Sequence, residues 1–373
     1  MAEQDLLLAL KELLAVMVQR KASDLYITEG TPPSIKVEGS LHPIGNRKLS
    51  AQDAESFIRA ILSESHWNQF LKEKEANLPL DIRELGRFRV NVFRQRGVCG
   101  MVIRLIRSRI PTIDECGLPA VVKQLALRKR GLILVVGGTG VGKSTTMAAM
   151  IDYRNQNSRG HIVTIEDPVE YIHEHKNCIV TQREVGIDTE SLEIGLKNSL
   201  RQAPDLIVIG EIRDRETMEA AITFAETGHL CIATLHSNSA SQAMERVMNF
   251  YPAERHKQIY MQMSMNLRSV VSQRLINSVD GGRVPAVEIL IDSPRIKDLI
   301  LNGHISELSE TIEKSSNLEM QTFDQALYDL FKKGKISLDE ALKNADSANN
   351  LRLRIKLESS SGFMKPKTSE TKS

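Results

Sequence analysis

Lys143 and Ser144 stand at the end of a glycine-rich run, Gly137-Gly138-Thr139-Gly140-Val141-Gly142, and Thr145 follows them. The spacing fits G-x-x-x-x-G-K-[ST] at every fixed position, the pattern of a nucleotide phosphate cradle. Glycines let the backbone wrap closely round phosphates, so that several N–H groups and the positive end of a following helix point at the same anions. The nucleotide-binding candidates are therefore Gly138, Thr139, Gly140, Val141, Gly142, Lys143, Ser144 and Thr145. In this reading Lys143 reaches the β- and γ-phosphates of ATP, the Ser144 hydroxyl holds Mg²⁺, and Thr145 supports the loop.

Further along, other groups have the chemistry to complete such a site. Glu211 follows an apolar run and Gly210, the place of an acid that holds Mg²⁺ or orients water; an ion pair with Arg213 is the rival role. Glu166 and Glu170 compete as general base, because a water attacking the γ-phosphoryl group needs a carboxylate within one hydrogen bond, and Pro168 forces a bend between them. His229 and His236 flank another apolar run. No further ligands stand near them at metal spacing, so they suit phosphate sensing or strand tying better than zinc.

These groups need elements to hold them. Leu132-Ile133-Leu134-Val135-Val136, ahead of the glycines, reads as a strand buried on both faces, and residues 145–153 read as a helix. Residues 162–165, 206–211 and 230–236 read as three more strands of the sheet, each ending in polar residues at its carboxyl end, where open parallel sheets bind ligands. A helical pattern rich in methionine runs from Gln258 to Arg274, and residues 294–345 read as mainly helical. Toward the N-terminus, residues 3–20 form an amphipathic helix, residues 25–28 and 34–37 short strands, and residues 51–70 a helix ending near Trp67. Residues 86–106 form a hairpin whose polar positions are strongly basic, with Arg83, Arg87, Arg89, Arg94, Arg96, Arg104 and Arg107 in or beside it. Such a face is either solvated or turned toward phosphates. Pro111, Gly117 and Pro119 mark an interdomain linker.

A chain of 373 residues is long enough for two domains. It is 41% hydrophobic and 26% charged, with a net charge of +2, so nothing global demands nucleic acid, and 4% aromatic residues argues against base-stacking platforms. Cys99, Cys116, Cys178 and Cys231 form no C-x-x-C pair, which speaks against a disulfide framework or a cysteine zinc site. The acidic N-terminus lacks a secretory pattern, and no run approaches the roughly 20 apolar residues that span a bilayer. A cytoplasmic protein is expected, with any membrane association made through a partner.

Several motifs together carry a resemblance. The glycine loop, Ile165-Glu166-Asp167-Pro168-Val169-Glu170, Ile209-Gly210-Glu211-Ile212-Arg213-Asp214, and Thr227-Gly228-His229 with Thr234-Leu235-His236 resemble the secretion and type IV pilus ATPases. Gln182-Arg183-Glu184-Val185-Gly186 and Arg201-Gln202-Ala203-Pro204-Asp205 resemble them too. The likeness spans almost the whole chain and points to the PilT/PilU family of retraction ATPases, since the paired C-x-x-C motifs of the extension ATPases are absent. Pro294-Arg295-Ile296-Lys297-Asp298-Leu299-Ile300-Leu301 keeps the apolar spacing of a retraction motif but not its charges, which with the polar tail is more similar to the accessory PilU branch.

The resemblance implies an α/β fold: a PAS-like α+β domain (1–107), a linker (108–119), a RecA-like parallel-sheet ATPase domain (120–293), a helical appendage (294–350) and a disordered polar tail (351–373). It implies Glu170 as the catalytic glutamate, Glu211 as the Walker B residue, His229 and His236 as a catalytic histidine pair, and Arg89, Arg94 and Arg104 as arginines that reach nucleotide across a boundary. It further implies ATP and Mg²⁺ as cofactors, a homo-hexamer, a related retraction ATPase and an inner-membrane platform protein as partners, no direct nucleic acid, and a place at the inner face of the bacterial inner membrane.

Overall fold

The structure, a computed structural model, describes residues 3–37, 39–106 and 109–360. The chain divides into two compact units: one holds the described residues up to Arg109 together with Glu170–Ile172, the other runs from Ile110 to Val169 and from His173 onward.

The first unit contains α1 (Glu3–Gln19), β1 (Asp24–Ile27), β2 (Ser34–Val37), β3 (Ser40–Pro43), α2 (Ala51–Arg59), α3 (Glu64–Glu73), β4 (Glu75–Ile82), β5 (Gly86–Gln95) and β6 (Val98–Leu105). The strands form an antiparallel sheet in the order β3-β2-β1-β6-β5-β4. Leu10, Leu14 and Met17 from α1, Ile58 from α2, and Trp67 and Phe70 from α3 share one core with Phe88, Val90 and Val92 of β5. The period-2 pattern of β5 therefore decides which of its side chains lie in that core and which lie on the other face.

Two expectations change here. The helix read over 51–70 is two helices, because the Ser63 side chain accepts a hydrogen bond from the His66 backbone N–H and starts α3 anew. Strand β4 escapes a pattern reading because Pro79 interrupts it; as the sheet's edge, it tolerates a residue without an N–H.

The second unit is built on seven strands in the order β13-β12-β7-β11-β10-β8-β9. These are β7 (Gly131–Val136), β8 (Gly160–Glu166), β9 (Cys178–Glu184), β10 (Leu206–Ile209), β11 (Leu230–Leu235), β12 (Leu267–Asn277) and β13 (Arg283–Ile291). All pairs are parallel except β12 with β13. Helices α4 (Val121–Ala126), α5 (Lys143–Asn157), α6 (Leu192–Ser199), α7 (Arg215–Glu226), α8 (Ala240–Asn249) and α9 (His256–Asn266) accompany it. Leu132, Leu134 and Val136 of β7 pack in a core with Met218, Met244 and Met263 of α7, α8 and α9. Ile133 and Val135 pack in a second core with Leu125 of α4 and Met150 of α5. A strand buried on both faces in this way reads as an uninterrupted apolar run.

The helical pattern from Gln258 to Arg274 ends at Asn266, where β12 begins; the β-branched pair Val270 and Val271 favours the strand. Ile113 and Leu118, in the stretch read as linker, are buried in the second core. The boundary drawn at residue 293 falls inside a continuous core, since α10 (Pro294–Leu301) and α11 (Leu308–Lys314) place Ile296, Leu299, Leu308 and Ile312 in the first. A separate cluster gathers Phe323, Leu327 and Tyr328 of α12 (Phe323–Lys332) with Ala341 of α13 (Leu338–Asn344) and Leu351 of α14 (Ala348–Ser360). The tail expected to be disordered from residue 351 is thus helical as far as Ser360, and its remainder lies outside the described residues. Among the described residues no helix is long and apolar enough to cross a membrane.

Candidate active site

The carboxyl ends of β7, β8, β10 and β11 lie side by side, because these strands pair in parallel and in register. The glycine loop leaves β7 and enters α5 at Lys143, with Gly142 at φ +93° as the residue before the helix. That left-handed turn needs glycine, and it directs the first backbone N–H groups of α5 toward the loop. The Lys143 Nζ donates to the carbonyls of Gly137 at 2.9 Å and Gly138 at 2.7 Å. The ammonium is thereby held over the loop that would receive the phosphates.

From Lys143 a line of polar contacts crosses three further strand ends. His236, just past β11, has Nδ1 3.5 Å from Lys143 Nζ and Nε2 2.9 Å from Glu211 Oε1. An ammonium offers only donors, so Nδ1 accepts and the ring proton sits on Nε2, facing the carboxylate. Glu211 Oε2 accepts from Arg213 Nε at 2.8 Å, and Arg213 also reaches Asp167 Oδ2 at 3.3 Å beyond the end of β8. The hydrogen bond to Glu211, ahead of the charges of Glu211 and Asp167, pushes the Arg213 pKa above its ordinary value. Glu211 therefore makes the ion pair with Arg213 that was the rival role in the sequence, and through His236 it also faces the loop's lysine.

Its position is fixed from behind. The Thr234 hydroxyl donates to the Gly210 carbonyl, and the Ile212 N–H donates to the Thr234 carbonyl at 2.9 Å. On the side of β8, Gly210 lies close against the backbone, since a Cβ there would lie 3.1 Å from the Glu166 Cα. The donor set suits a hard cation: the Ser144 hydroxyl makes no hydrogen bond among the described residues, and each Glu211 oxygen engages one donor while keeping a further lone pair.

The two candidate bases have different surroundings. Glu166 is buried and accepts from the Thr164 hydroxyl at 2.6 Å and from Gln182 Nε2 at 3.3 Å, which ties it into the sheet. Glu170 is exposed and enters no described hydrogen bond or ion pair. The residues flanking it are anchored from β9: Glu184 Oε2 accepts from the Val169 N–H at 3.1 Å, and Gln182 Oε1 accepts from the His173 N–H at 2.8 Å. Neither anchor was singled out by its chemistry in the sequence; both lie in Gln182-Arg183-Glu184, quoted only for its likeness.

The histidine pair is not brought together. His229 stands at the opposite end of β11, its backbone carbonyl accepting from the Gly131 N–H and its Nδ1 3.0 Å from the Thr227 hydroxyl. With the six residues of β11 between them, His229 and His236 are separated by about 23 Å at ~3.3 Å per residue. Within one subunit, His229 therefore does not act with Glu211.

Nor do the three arginines share a face. Arg89 and Arg104 are directly paired across β5 and β6, whereas Arg94 has the opposite parity on β5, with its guanidinium 5.8 Å from the Phe70 ring. Arg104 is engaged by the buried Asp24 at 2.7 Å, while Arg89 makes no ion pair among the described residues. Arg107 lies outside the described residues.

Two expectations follow from local geometry. A Cβ at Gly137 would come within 2.7 Å of the Gln273 backbone oxygen and 2.6 Å of Val141 Cγ2. Gly137→Ala should displace the loop and weaken ADP binding at least about tenfold in a calorimetric titration, for a stability cost of about 1–3 kcal/mol. His173 is 7% exposed, its Nδ1 has no hydrogen-bond partner, and burial lowers its pKa from 6.5 to about 4. The unfolded chain then binds this proton more readily than the fold. The stabilisation is complete above pH ~6.5 and is lost as pH falls toward 4, in total about 3 kcal/mol. Urea midpoints of His173→Phe should fall less steeply over that interval than those of the unsubstituted protein.

The chain is similar to known proteins over most of its length. A family described as Type II/IV secretion system protein matches residues 3–350. The chain is 52% identical to the type IV pilus ATPase PilU of Pseudomonas aeruginosa, over 94% of this chain and 92% of that one. It is 41% identical to the type IV pilus retraction ATPase PilT of the same organism, over 91% and 98%. Among solved structures, the pilus retraction motor PilT with bound ADP superposes with a TM-score of 0.85 at 39% identity, covering 92% of this chain and 98% of that one.

Proposed function

The chain belongs to the type II/IV secretion system protein family, within the PilT/PilU group of pilus ATPases, and from that membership we propose that it is a Mg²⁺-dependent ATPase working as a hexameric ring to retract type IV pili. The observation that carries the reading is the contact line Lys143–His236–Glu211–Arg213–Asp167 across four adjacent strand ends. An ammonium, an imidazole and a carboxylate in one row support a reading in which phosphate and metal are held side by side.

In this reading the loop amides and Lys143 hold the phosphates, and Ser144 and Glu211 hold Mg²⁺. Bound there, Mg²⁺ would supply neutralisation of the phosphate charge. Glu170 orients and deprotonates the attacking water from its exposed position. His236 keeps the Glu211 carboxylate aimed, and it carries the loop's state to β10 through its two ring nitrogens. Arg89 and Arg104 are the arginines suited to complete the site of an adjoining subunit. An arginine supplied in this way is worth about 10³–10⁵ in kcat, so a lone subunit turns over slowly. His229, at the amino end of β11 and remote from Glu211 within its own subunit, acts only at a contact with an adjoining subunit.

Retraction then arises from motion of one unit against the next as nucleotide enters and leaves. The protein works in the cytoplasm at the inner face of the inner membrane, held there by a platform protein and beside a related retraction ATPase. The greater identity to PilU than to PilT favours the accessory place in that pair.

The test is complementation of a piliated strain lacking this protein. The unsubstituted protein should restore twitching, and Glu211→Gln should not. If Glu211→Gln restores it fully, the protein is instead a nucleotide-binding adaptor whose own hydrolysis is dispensable.

A further inference from the structure

Strand β12 runs parallel to β7 with Ser272 paired to Val136, so its next residue, Gln273, stands level with the start of the glycine loop. Gln273 is 5% exposed and lies against the loop and the helix after it at three points. Its side-chain Oε1 accepts from the Thr146 hydroxyl on α5 at 2.7 Å. Its Nε2 lies 3.1 Å from where a Cβ on Gly142 would sit, and its backbone oxygen 2.7 Å from the corresponding point on Gly137. The one residue thus abuts the first and last glycines of the motif and the first turn of the helix beyond. Its amide N–H group makes no hydrogen bond among the described residues.

The residue beside it explains why this brace is stiff. Arg274 points to the other face of β12, where its guanidinium stacks 3.8 Å from the Phe323 ring and donates to the Asn344 carbonyl at 3.0 Å and to Asp346 at 2.8 Å. The strand is clamped to α12 and to the end of α13 at the position where it presses on the loop. A group held on a clamped strand sets geometry more sharply than one on a mobile loop.

We propose that Gln273 is a positioning residue for the phosphate loop: its carboxamide holds Thr146 with its oxygen, backs the Gly142 turn with its nitrogen, and so sets the loop in its anion-binding shape. The inference deepens the nucleotide-hydrolysis reading and rests on it. A preformed loop lowers the ordering cost of binding, so loss of the brace should appear in affinity for nucleotide more than in the chemical step.

The experiment compares Gln273→Leu, Gln273→Glu, Thr146→Val, Thr146→Ser and the double variant Gln273→Leu/Thr146→Val in the full chain. ADP affinity is measured by calorimetry, KM and kcat for ATP by steady-state turnover, and folding by thermal melts without nucleotide. Gln273→Leu and Thr146→Val should each weaken ADP binding and raise KM about tenfold, with kcat within about threefold. Because both remove the same contact, the double variant should be little worse than either single one. Thr146→Ser keeps the hydroxyl and should bind normally. Gln273→Glu keeps the acceptor but replaces the N–H group at Gly142 by an anionic oxygen, so it should fail to rescue. Wild-type affinity in Gln273→Leu, or effects that add fully in the double variant, would overturn the proposal while leaving the ATPase reading intact. A Gln273→Leu variant that melts before binding can be measured leaves the Thr146 pair to decide, since equal affinity in Thr146→Val and Thr146→Ser overturns it equally. An unsubstituted protein that neither binds ADP nor hydrolyses ATP would overturn both.

Discussion

Lys143→Ala should lower ATP turnover by at least about 10²–10³-fold, the loss typical of removing one preorganised electrostatic contact from a transition state. The ammonium lies over the loop, held by the carbonyls of Gly137 and Gly138. Its loss removes a positive charge from over the loop and leaves those carbonyls to other donors. The fold should tolerate the change, because position 143 opens α5 and alanine is a strong helix former. Thermal melts of the nucleotide-free variant should therefore stay close to those of the unsubstituted protein. Lys143→Arg should not restore turnover, since a planar guanidinium cannot occupy the same point between two carbonyls. A variant that melts normally and hydrolyses ATP at the original rate would remove the glycine loop from the mechanism.

Glu170→Gln should lower kcat by about 10²–10⁴-fold, the range for loss of a general base, while ADP affinity changes less than about twofold. The side chain is exposed and engages no described partner, so the amide disturbs no packing. Glu211→Gln is the instructive contrast: that carboxylate accepts from both His236 and Arg213, so its neutralisation should disturb the contact line and nucleotide affinity as well as turnover. Single-turnover kinetics and ADP titration separate the two. If Glu170→Gln retains turnover, the base lies elsewhere; Glu166, buried and already bonded to Thr164 and Gln182, is a poor substitute.

The sequence makes the site's parts easier to read than their grouping. The apolar runs of β7, β10 and β11 and the glycine motif are legible because a fully buried parallel strand and a phosphate loop each impose a local pattern. Grouping depends on direction and parity instead. His229 and His236 bracket one strand, yet a parallel sheet collects only its carboxyl ends, so His236 meets Glu211 and His229 cannot. Arg89 and Arg94 sit five residues apart on one strand, an odd interval that sends them to opposite faces. Gln273 is hidden for a different reason: the helical pattern read from Gln258 runs on past Asn266 to Arg274 and masks the start of β12, so a residue beside the phosphate loop reads as part of a helix.

The measurement that tests the central claim most directly is ATP turnover per subunit across a protein concentration series, with assembly followed by light scattering and Glu211→Ala as control. The account predicts that turnover per subunit rises as rings form, requires Mg²⁺, and is absent from Glu211→Ala. Negligible turnover in a stable assembled ring, or full turnover in dilute single subunits, would contradict it.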